Sequence, residues 1–321
     1  LSPLLSTGML IAGLALAIVG GNLLISGATT IARRFNLSDL LIGATVVAFG
    51  TSMPELTVNL FSVAANNTDL AIANVLGSNI FNILVILGIT ALIAPLIVQD
   101  STFKKDIPFS LMAVILVGAC GNEALIDGLN FSALTRSDGI VFISFFIIFL
   151  YYSFSANPPV GNVDTPADEP RRSAPQAVAW IVVGLVGLFF GGEWIVNGAT
   201  VVAAAMGMDA HSIGIIIIGP GTSFPELISS IVAARRGHMD MAVGNVVGSN
   251  IFNIFLVLGL SAIIRPLPLS FELNLSIMAT ALSSILLLVF AFIIKGRRIT
   301  NAEGVCFIAS YVGYAGYLVA A

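Results

Sequence analysis

The chain has 321 residues, 57% of them hydrophobic and only 9% charged, with a formal net charge of −4 and a mean hydropathy of +1.02. Soluble domains carry about 25% charged residues, so this balance excludes an ordinary soluble fold. There is no basic patch interleaved with aromatics, so nucleic acid is not expected as a partner, and no dominant pattern of short alternating segments, so a membrane β-barrel is excluded as well.

Apolar stretches of about 20 residues, the length a helix needs to cross a bilayer, recur along the whole chain. They predict an all-α polytopic membrane protein with ten helical spans, at 4–32, 38–66, 69–94, 106–124, 138–156, 174–205, 209–235, 239–264, 270–295 and 301–320. The first stretch lacks a basic flank and a small-residue cleavage site and is read as a span. Residues 157–173, NPPVGNVDTPADEPRRS, are Pro-rich and charged, and form a linker between a first half, 1–156, and a second, 174–321. Cys120 and Cys306 lie in apolar segments without metal-ligand spacing and are read as packing residues rather than a disulfide.

The basic residues give an orientation. Arg33, Arg34, Lys104, Lys105, Arg171, Arg172, Arg235, Arg236, Lys295, Arg297 and Arg298 fall in alternate connections, and only Arg136 and Arg265 in the others. The excess of Lys and Arg predicts both termini outside and the central linker in the cytoplasm. With five spans in each half, the second half then enters the membrane from the opposite side, so the halves are inverted repeats.

The halves are also repeats in sequence. Residues 50–56 read GTSMPEL and 221–227 read GTSFPEL; residues 74–83 read NVLGSNIFNI and 245–254 read NVVGSNIFNI, all at an offset of 171 positions. The offset holds without a gap from Gly20/Gly191 to Pro95/Pro266. In the second span of each half, Pro54 or Pro225 lacks an N–H and follows a Gly, which predicts a helix broken near the midplane. The break frees backbone carbonyls, for instance at Thr51 and Thr222, beside Ser52, Ser223, Glu55 and Glu226. Polar groups freed at membrane depth are tolerated where they line a cavity or bind something. A second interruption is expected in the third spans at G-S-N-I-F-N, where Ser78/Asn82 and Ser249/Asn253 share a helix face at i, i+4 spacing.

Two carboxylates among hydroxyl, amide and carbonyl oxygens, without His, thiolate or Lys, form a hard-donor set suited to Ca²⁺, Na⁺ or Mg²⁺. Mg²⁺ sheds its waters reluctantly, which disfavours it. Two carboxylates neutralise one Ca²⁺ or two Na⁺, so one set of oxygens can serve both ions in turn. Each feature has a plainer reading. The acids could relay protons or lock helices, and the Gly-Ser-Asn faces could serve close packing with interhelical hydrogen bonds. Asn79 and Asn250 are expected to tie the broken backbone together, and Asn74 and Asn245 are further repeated amides. Glu193, whose repeat partner is Asn22, breaks the symmetry and is placed at a vestibule rather than in the site.

At these residues the chain resembles the sodium/calcium exchanger family of the cation/calcium antiporters, whose two α-repeats carry the G-T-S-x-P-E and G-S-N-x-x-N pairs. The resemblance covers nearly the whole chain. It implies ten spans, broken helices, and a multi-pass protein of the plasma or inner membrane. It implies Glu55 and Glu226 as shared Ca²⁺/Na⁺ ligands, carbonyls from Thr51 and Thr222, hydroxyls from Ser52 and Ser223, and side-chain oxygens from Asn82 and Asn253. Ser78 and Ser249 would flank the Na⁺ sites, with a backbone oxygen from Ala48. Ca²⁺ and Na⁺ are then cargo, no cofactor is expected, and the surrounding partner is the lipid bilayer, with no obligatory protein partner evident.

Two departures carry consequences. Repeat one reads VVAFGTS but repeat two reads IIGPGTS, so Gly219 and Pro220 stand where Ala48 and Phe49 stand in the first copy; this change bears on a Na⁺ site in repeat two. Asn253 occupies a position where K⁺-dependent relatives carry Asp, which implies K⁺-independent transport. The expected function is secondary antiport of Ca²⁺ against Na⁺. The alternatives are Ca²⁺/H⁺ antiport through the same two Glu and, from a different class, a passive cation channel; an enzyme is disfavoured by the absence of a catalytic constellation.

Overall fold

The computed structural model describes residues 3–156, 173–208, 213–293 and 298–320. Of the expected features, the linker up to Arg172, positions 209–212 of the seventh span, Lys295 and Arg297 lie outside the described residues. The helices are α1 (Pro3–Arg34), α2 (Asp39–Thr51), α3 (Met53–Ala64), α4 (Thr68–Ile93), α5 (Ile107–Cys120), α6 (Arg136–Ala156), α7 (Ala174–Ala205), α8 (Phe224–Arg235), α9 (Met239–Ile264), α10 (Leu273–Ile293) and α11 (Asn301–Ala320). Among the described residues, eight helices are long and apolar enough to cross a membrane, α8 counting with the turns before it as Ile216–Arg235, and a ninth span results when α2 and α3, bent by 41°, are taken together. Against the expected 106–124, α5 ends earlier, at Cys120, and a π turn, Thr102–Asp106, leads into it from the N-terminal side. Asn122 folds back to donate to the Gly118 carbonyl at 2.9 Å and crosses to Asn274 Oδ1 at 2.8 Å, which ends the helix.

The bend between α2 and α3 falls at Ser52, and Pro54 sits in the first turn of α3, where a missing N–H leaves no bond unmade. The interruption expected at G-S-N-I-F-N does not occur. α4 and α9 run through it as continuous helices and absorb it in π turns, Asn82–Leu87 and Phe252–Leu258. Neither motif contains Pro, so every backbone N–H remains available and the ladder widens instead of breaking.

The second-span motifs differ between the copies. Both have a π turn at matching positions, Gly43–Val47 and Gly214–Ile218. Copy one then resumes an α-helix at Ala48–Thr51, whereas copy two enters a 3₁₀ turn at Gly219–Ser223. Pro220 has no N–H to return to the carbonyl one turn back, so the α-helix cannot resume there.

α1 and α7 pack antiparallel along a stripe of small residues spaced by seven: Ser6 faces Gly198, Gly13 faces Gly191, Gly20 faces Gly184, and Gly27 faces Ala177. A Cβ on Gly13, Gly20, Gly27, Gly184, Gly191 or Gly198 would lie between 2.5 and 2.8 Å from backbone of the other helix. In lipid, where apolar burial drives little helix association, such close backbone approach holds the pair. Gly184→Val is therefore expected to destabilise the protein by about 1–3 kcal/mol or more, read as a lower melting temperature in detergent. Gly8→Val, on an open part of α1, is expected to leave it unchanged.

The connections are stitched into two groups. In the first, Asp39 Oδ2 meets His238 Nδ1 at 2.6 Å, Gln99 donates to Asp240 Oδ2 at 2.5 Å, and strand β1 (Leu96–Ile97) pairs antiparallel with β4 (Arg298–Ile299). In the second, β2 (Ala133–Leu134) pairs antiparallel with β3 (Leu267–Pro268), and Arg136 Nε donates to the Ile263 carbonyl at 3.1 Å, at the C-terminal end of α9. The first group joins connections that carry Lys104, Lys105, Arg235, Arg236 and Arg298; the second carries Arg136 and Arg265.

Candidate cation site

Glu55 opens α3 and Glu226 opens α8, and both are 0% exposed. Each is held by the other copy. Ser223 Oγ donates to Glu55 Oε1 and Ser52 Oγ donates to Glu226 Oε1, both at 3.0 Å. Within each copy the third-span serine adds a longer contact: Ser78 Oγ to Glu55 Oε1 and Ser249 Oγ to Glu226 Oε1, both 3.4 Å. One oxygen of each carboxylate is thus fixed by two hydroxyls.

The amides repeat the exchange. Asn82 Nδ2 donates to Asn250 Oδ1 and Asn253 Nδ2 donates to Asn79 Oδ1, both at 3.0 Å. Asn79 Nδ2 reaches the Asn250 carbonyl at 3.2 Å, and Asn250 Nδ2 the Asn79 carbonyl at 3.5 Å. Asn79 and Asn250 therefore do not tie their own backbone, which is unbroken there; they clasp α4 to α9 and set the orientation of Asn82 and Asn253.

Five buried side-chain oxygens among the described residues have no hydrogen-bond partner: Glu55 Oε2, Glu226 Oε2, Asn82 Oδ1, Asn253 Oδ1 and Thr102 Oγ1. Four of the five fall in these two contact sets, the carboxylates with their serines and the amide clasp, and form two repeat-equivalent pairs; Thr102 lies just before α5. An unpartnered buried oxygen costs about 1–3 kcal/mol, more for a charged one. Two carboxylate oxygens and two amide oxygens left so form a hard-donor set of the kind a Ca²⁺ or Na⁺ ion takes.

The structure brings Ser223 and Ser78 to Glu55 and Ser52 and Ser249 to Glu226; Asn82 and Asn253 follow Ser78 and Ser249 by one helical turn. Thr51 and Thr222 belong to the same network through their hydroxyls: Thr51 Oγ1 donates to Asn245 Oδ1 at 3.2 Å and Thr222 Oγ1 to Asn74 Oδ1 at 3.4 Å. The Ala48 carbonyl accepts the Ser52 amide at 3.0 Å and lies 3.4 Å from Thr51 Oγ1, beside two other residues of the expected set. Asn74 and Asn245 hold the threonines of the opposite copy, a role the repeat offset hinted at but did not specify. Asn245 is itself held by Ser229 and Ser230 at 3.1 and 2.9 Å, and Asn74 by Asn59 at 2.8 Å. Asn59, Ser229 and Ser230 carry no pattern that would have drawn attention, because their types differ or appear in one copy alone.

The family described as sodium/calcium exchanger protein matches this chain twice, over residues 5–155 and 176–320. The chain belongs to that family. Its members are exchangers, which makes this chain a membrane cation/Ca²⁺ antiporter and not an enzyme. Among its relatives, the sodium/calcium exchanger MaX1 of Methanosarcina acetivorans is 31% identical over 95% of this chain and 96% of its own, and the inner membrane protein YrbG of Escherichia coli is 36% identical over 86% of each. A solved structure of the sodium-calcium exchanger NCX_Mj, soaked with zero Na⁺ and Ca²⁺, superposes with a TM-score of 0.82 at 32% identity, covering 99% of this chain and 100% of that one.

Proposed function

We propose that this exchanger moves Ca²⁺ against Na⁺ by alternating access, with Glu55 and Glu226 as the ligands common to both ions. The reading rests on the four unpartnered oxygens, Glu55 Oε2, Glu226 Oε2, Asn82 Oδ1 and Asn253 Oδ1. Two carboxylates carry the charge of one Ca²⁺ or two Na⁺. Neutral amide and hydroxyl oxygens around them suit a desolvated metal cation; protons, the coupling ion of the alternative reading, need no such cage. The Ser52 and Ser223 hydroxyls hold one oxygen of each acid and keep lone pairs to offer an ion, and Thr51, Thr222, Ser78, Ser249 and Ala48 complete the proposed ligand set.

The site lies between two inverted five-span units, 1–156 and 174–321, joined by a cytoplasmic linker at 157–173. Three observations support the inversion. The Ser–Glu, Thr–Asn and Asn–Asn contacts between the copies recur with the copies exchanged. The family matches once on either side of the linker. β1 and β3 follow repeat-equivalent third spans, yet β1 is stitched to the group of connections rich in Lys and Arg and β3 to the other group. Ten crossings, counting α5 as one and α2–α3 as one, with both termini outside, fit this arrangement and place the basic group in the cytoplasm.

The decisive experiment is ⁴⁵Ca²⁺ flux in proteoliposomes under imposed Na⁺, K⁺ and pH gradients. Uptake driven by an outward Na⁺ gradient is expected; uptake driven by pH alone would assign the coupling to protons. Asn253 lacks a negative charge, so transport is expected to run equally in K⁺ and choline media, and an absolute requirement for K⁺ would refute that assignment. The 3₁₀ turn at Gly219–Ser223 re-aims the backbone of copy two. Ser52→Ala is therefore expected to raise the Na⁺ half-saturation more than Ser223→Ala, and equal shifts would show that the turn does not weaken its side of the site.

A further inference from the structure

We propose that Glu193 is a cation-recruiting residue of the vestibule opposite the arginine-rich face, which sets how readily ions reach the site from that side; this deepens the exchange reading and rests on it. A cavity of about 250 Å³ is lined by Glu193, Asn197, Thr57 and Thr222 together with apolar side chains, Phe189 and Val196 among them, and the Thr222 hydroxyl contacts Ser78 at 3.3 Å. Glu193 is exposed, and among the described residues it has neither a hydrogen bond nor an ion pair. A carboxylate in an apolar helix at membrane depth is costly unless it faces water or a counter-charge; among the described residues no counter-charge reaches Glu193, so the proposal places water in the cavity it lines.

The repeat makes the assignment sharper. The equivalents of Glu193 and Asn197 in the first copy are Asn22 and Ser26, on α1. There, Arg236 brings a positive charge: its guanidinium donates to Ser26 Oγ at 2.6 Å and to Asn22 Oδ1 at 2.5 Å. The position equivalent to Arg236 is Ala65, which brings no cation to Glu193. The same pair of helix positions thus meets a fixed positive charge at one end of the protein and carries an unneutralised negative charge in an open cavity at the other. A fixed negative charge in a cleft with low-dielectric walls raises the local concentration of cations.

The physics gives a signature that a structural role would not. At a given local potential the enrichment of a divalent ion is the square of that of a monovalent ion. One unit charge acting over about 10 Å of watery cavity corresponds to roughly two-fold for Na⁺ and four-fold for Ca²⁺. The test is Glu193→Gln in oriented proteoliposomes, with half-saturation for Ca²⁺ and Na⁺ measured separately on each face. At about 10 mM ionic strength, where screening extends about 30 Å, the Ca²⁺ half-saturation on the vestibule face should rise about four-fold and that of Na⁺ about two-fold, with unchanged maximal rate. At about 1 M inert salt, where screening falls to about 3 Å, both shifts should vanish. Glu193→Asp should restore wild-type behaviour, and Asn197→Asp, adding a charge to the same cavity, should shift half-saturation the other way. Shifts that persist in high salt, that appear equally on both faces, or that are equal for the two ions would overturn the inference, as would an unchanged half-saturation in both Glu193→Gln and Asn197→Asp. Absence of Na⁺-driven ⁴⁵Ca²⁺ flux in the wild-type protein would instead overturn the exchange reading itself.

Discussion

Glu55→Gln and Glu226→Gln are each expected to abolish Ca²⁺ exchange, by at least about 100-fold, while leaving a folded protein. Each carboxylate is fully buried and has one oxygen fixed by serines and one without a partner. Removing one negative charge leaves a divalent ion half-compensated in a medium where Coulomb energies are several times those in water, a loss of about 3–5 kcal/mol for breaking a buried charge set. The neutral amide keeps the shape and can still accept the serine proton, so the fold should persist, and the melting temperature in detergent without Ca²⁺ should rise or stay constant. Near-normal ⁴⁵Ca²⁺ uptake by either variant would refute the site. The reciprocity adds a finer expectation: the two variants should be equivalent for Ca²⁺, since each acid holds the same contacts with the copies exchanged.

Asn250→Ala and Asn79→Ala should raise the Ca²⁺ half-saturation about 10-fold or more, although neither side chain is a proposed ligand. Asn250 Oδ1 accepts from Asn82, and Asn79 Oδ1 accepts from Asn253. Those bonds occupy the donor ends of Asn82 and Asn253 and leave their Oδ1 atoms free to face an ion. With the acceptor gone, each amide can rotate and present a donor to the cation instead. Losses of about 10–100-fold are usual when a group that orients a metal ligand is removed. The maximal rate should change less than the half-saturation. Unchanged half-saturation in both variants would show that the amides are oriented by something else.

Much of this was legible in the chain. The long apolar stretches set an all-helical membrane protein, because lipid leaves the backbone no other solvent-free way to bond. The offset of 171 positions paired Glu55 with Glu226 and Asn82 with Asn253 before any coordinates. Pro54 located the sharp bend, because a missing N–H acts locally and needs no tertiary partner.

What the sequence did not contain is which copy each side chain serves. Ser52 lies three residues from Glu55 yet holds Glu226, and Asn82 opens the π turn of its own copy yet is oriented by Asn250. Those pairings depend on the two copies meeting face to face, and a local pattern carries no information about a partner more than 160 positions away. The G-S-N-I-F-N segments looked like breaks because Gly, Ser and Asn favour irregular backbone in isolation. They stay helical because packing of α4 on α9 and the Asn79–Asn250 clasp supply what intrinsic propensity lacks. The amino-acid sequence alone determined the class, the repeat and the acids. The tertiary structure alone decided that each copy completes the other's half of the site, because long-range hydrogen bonds between equivalent positions are a property of how the halves are placed, not of either half.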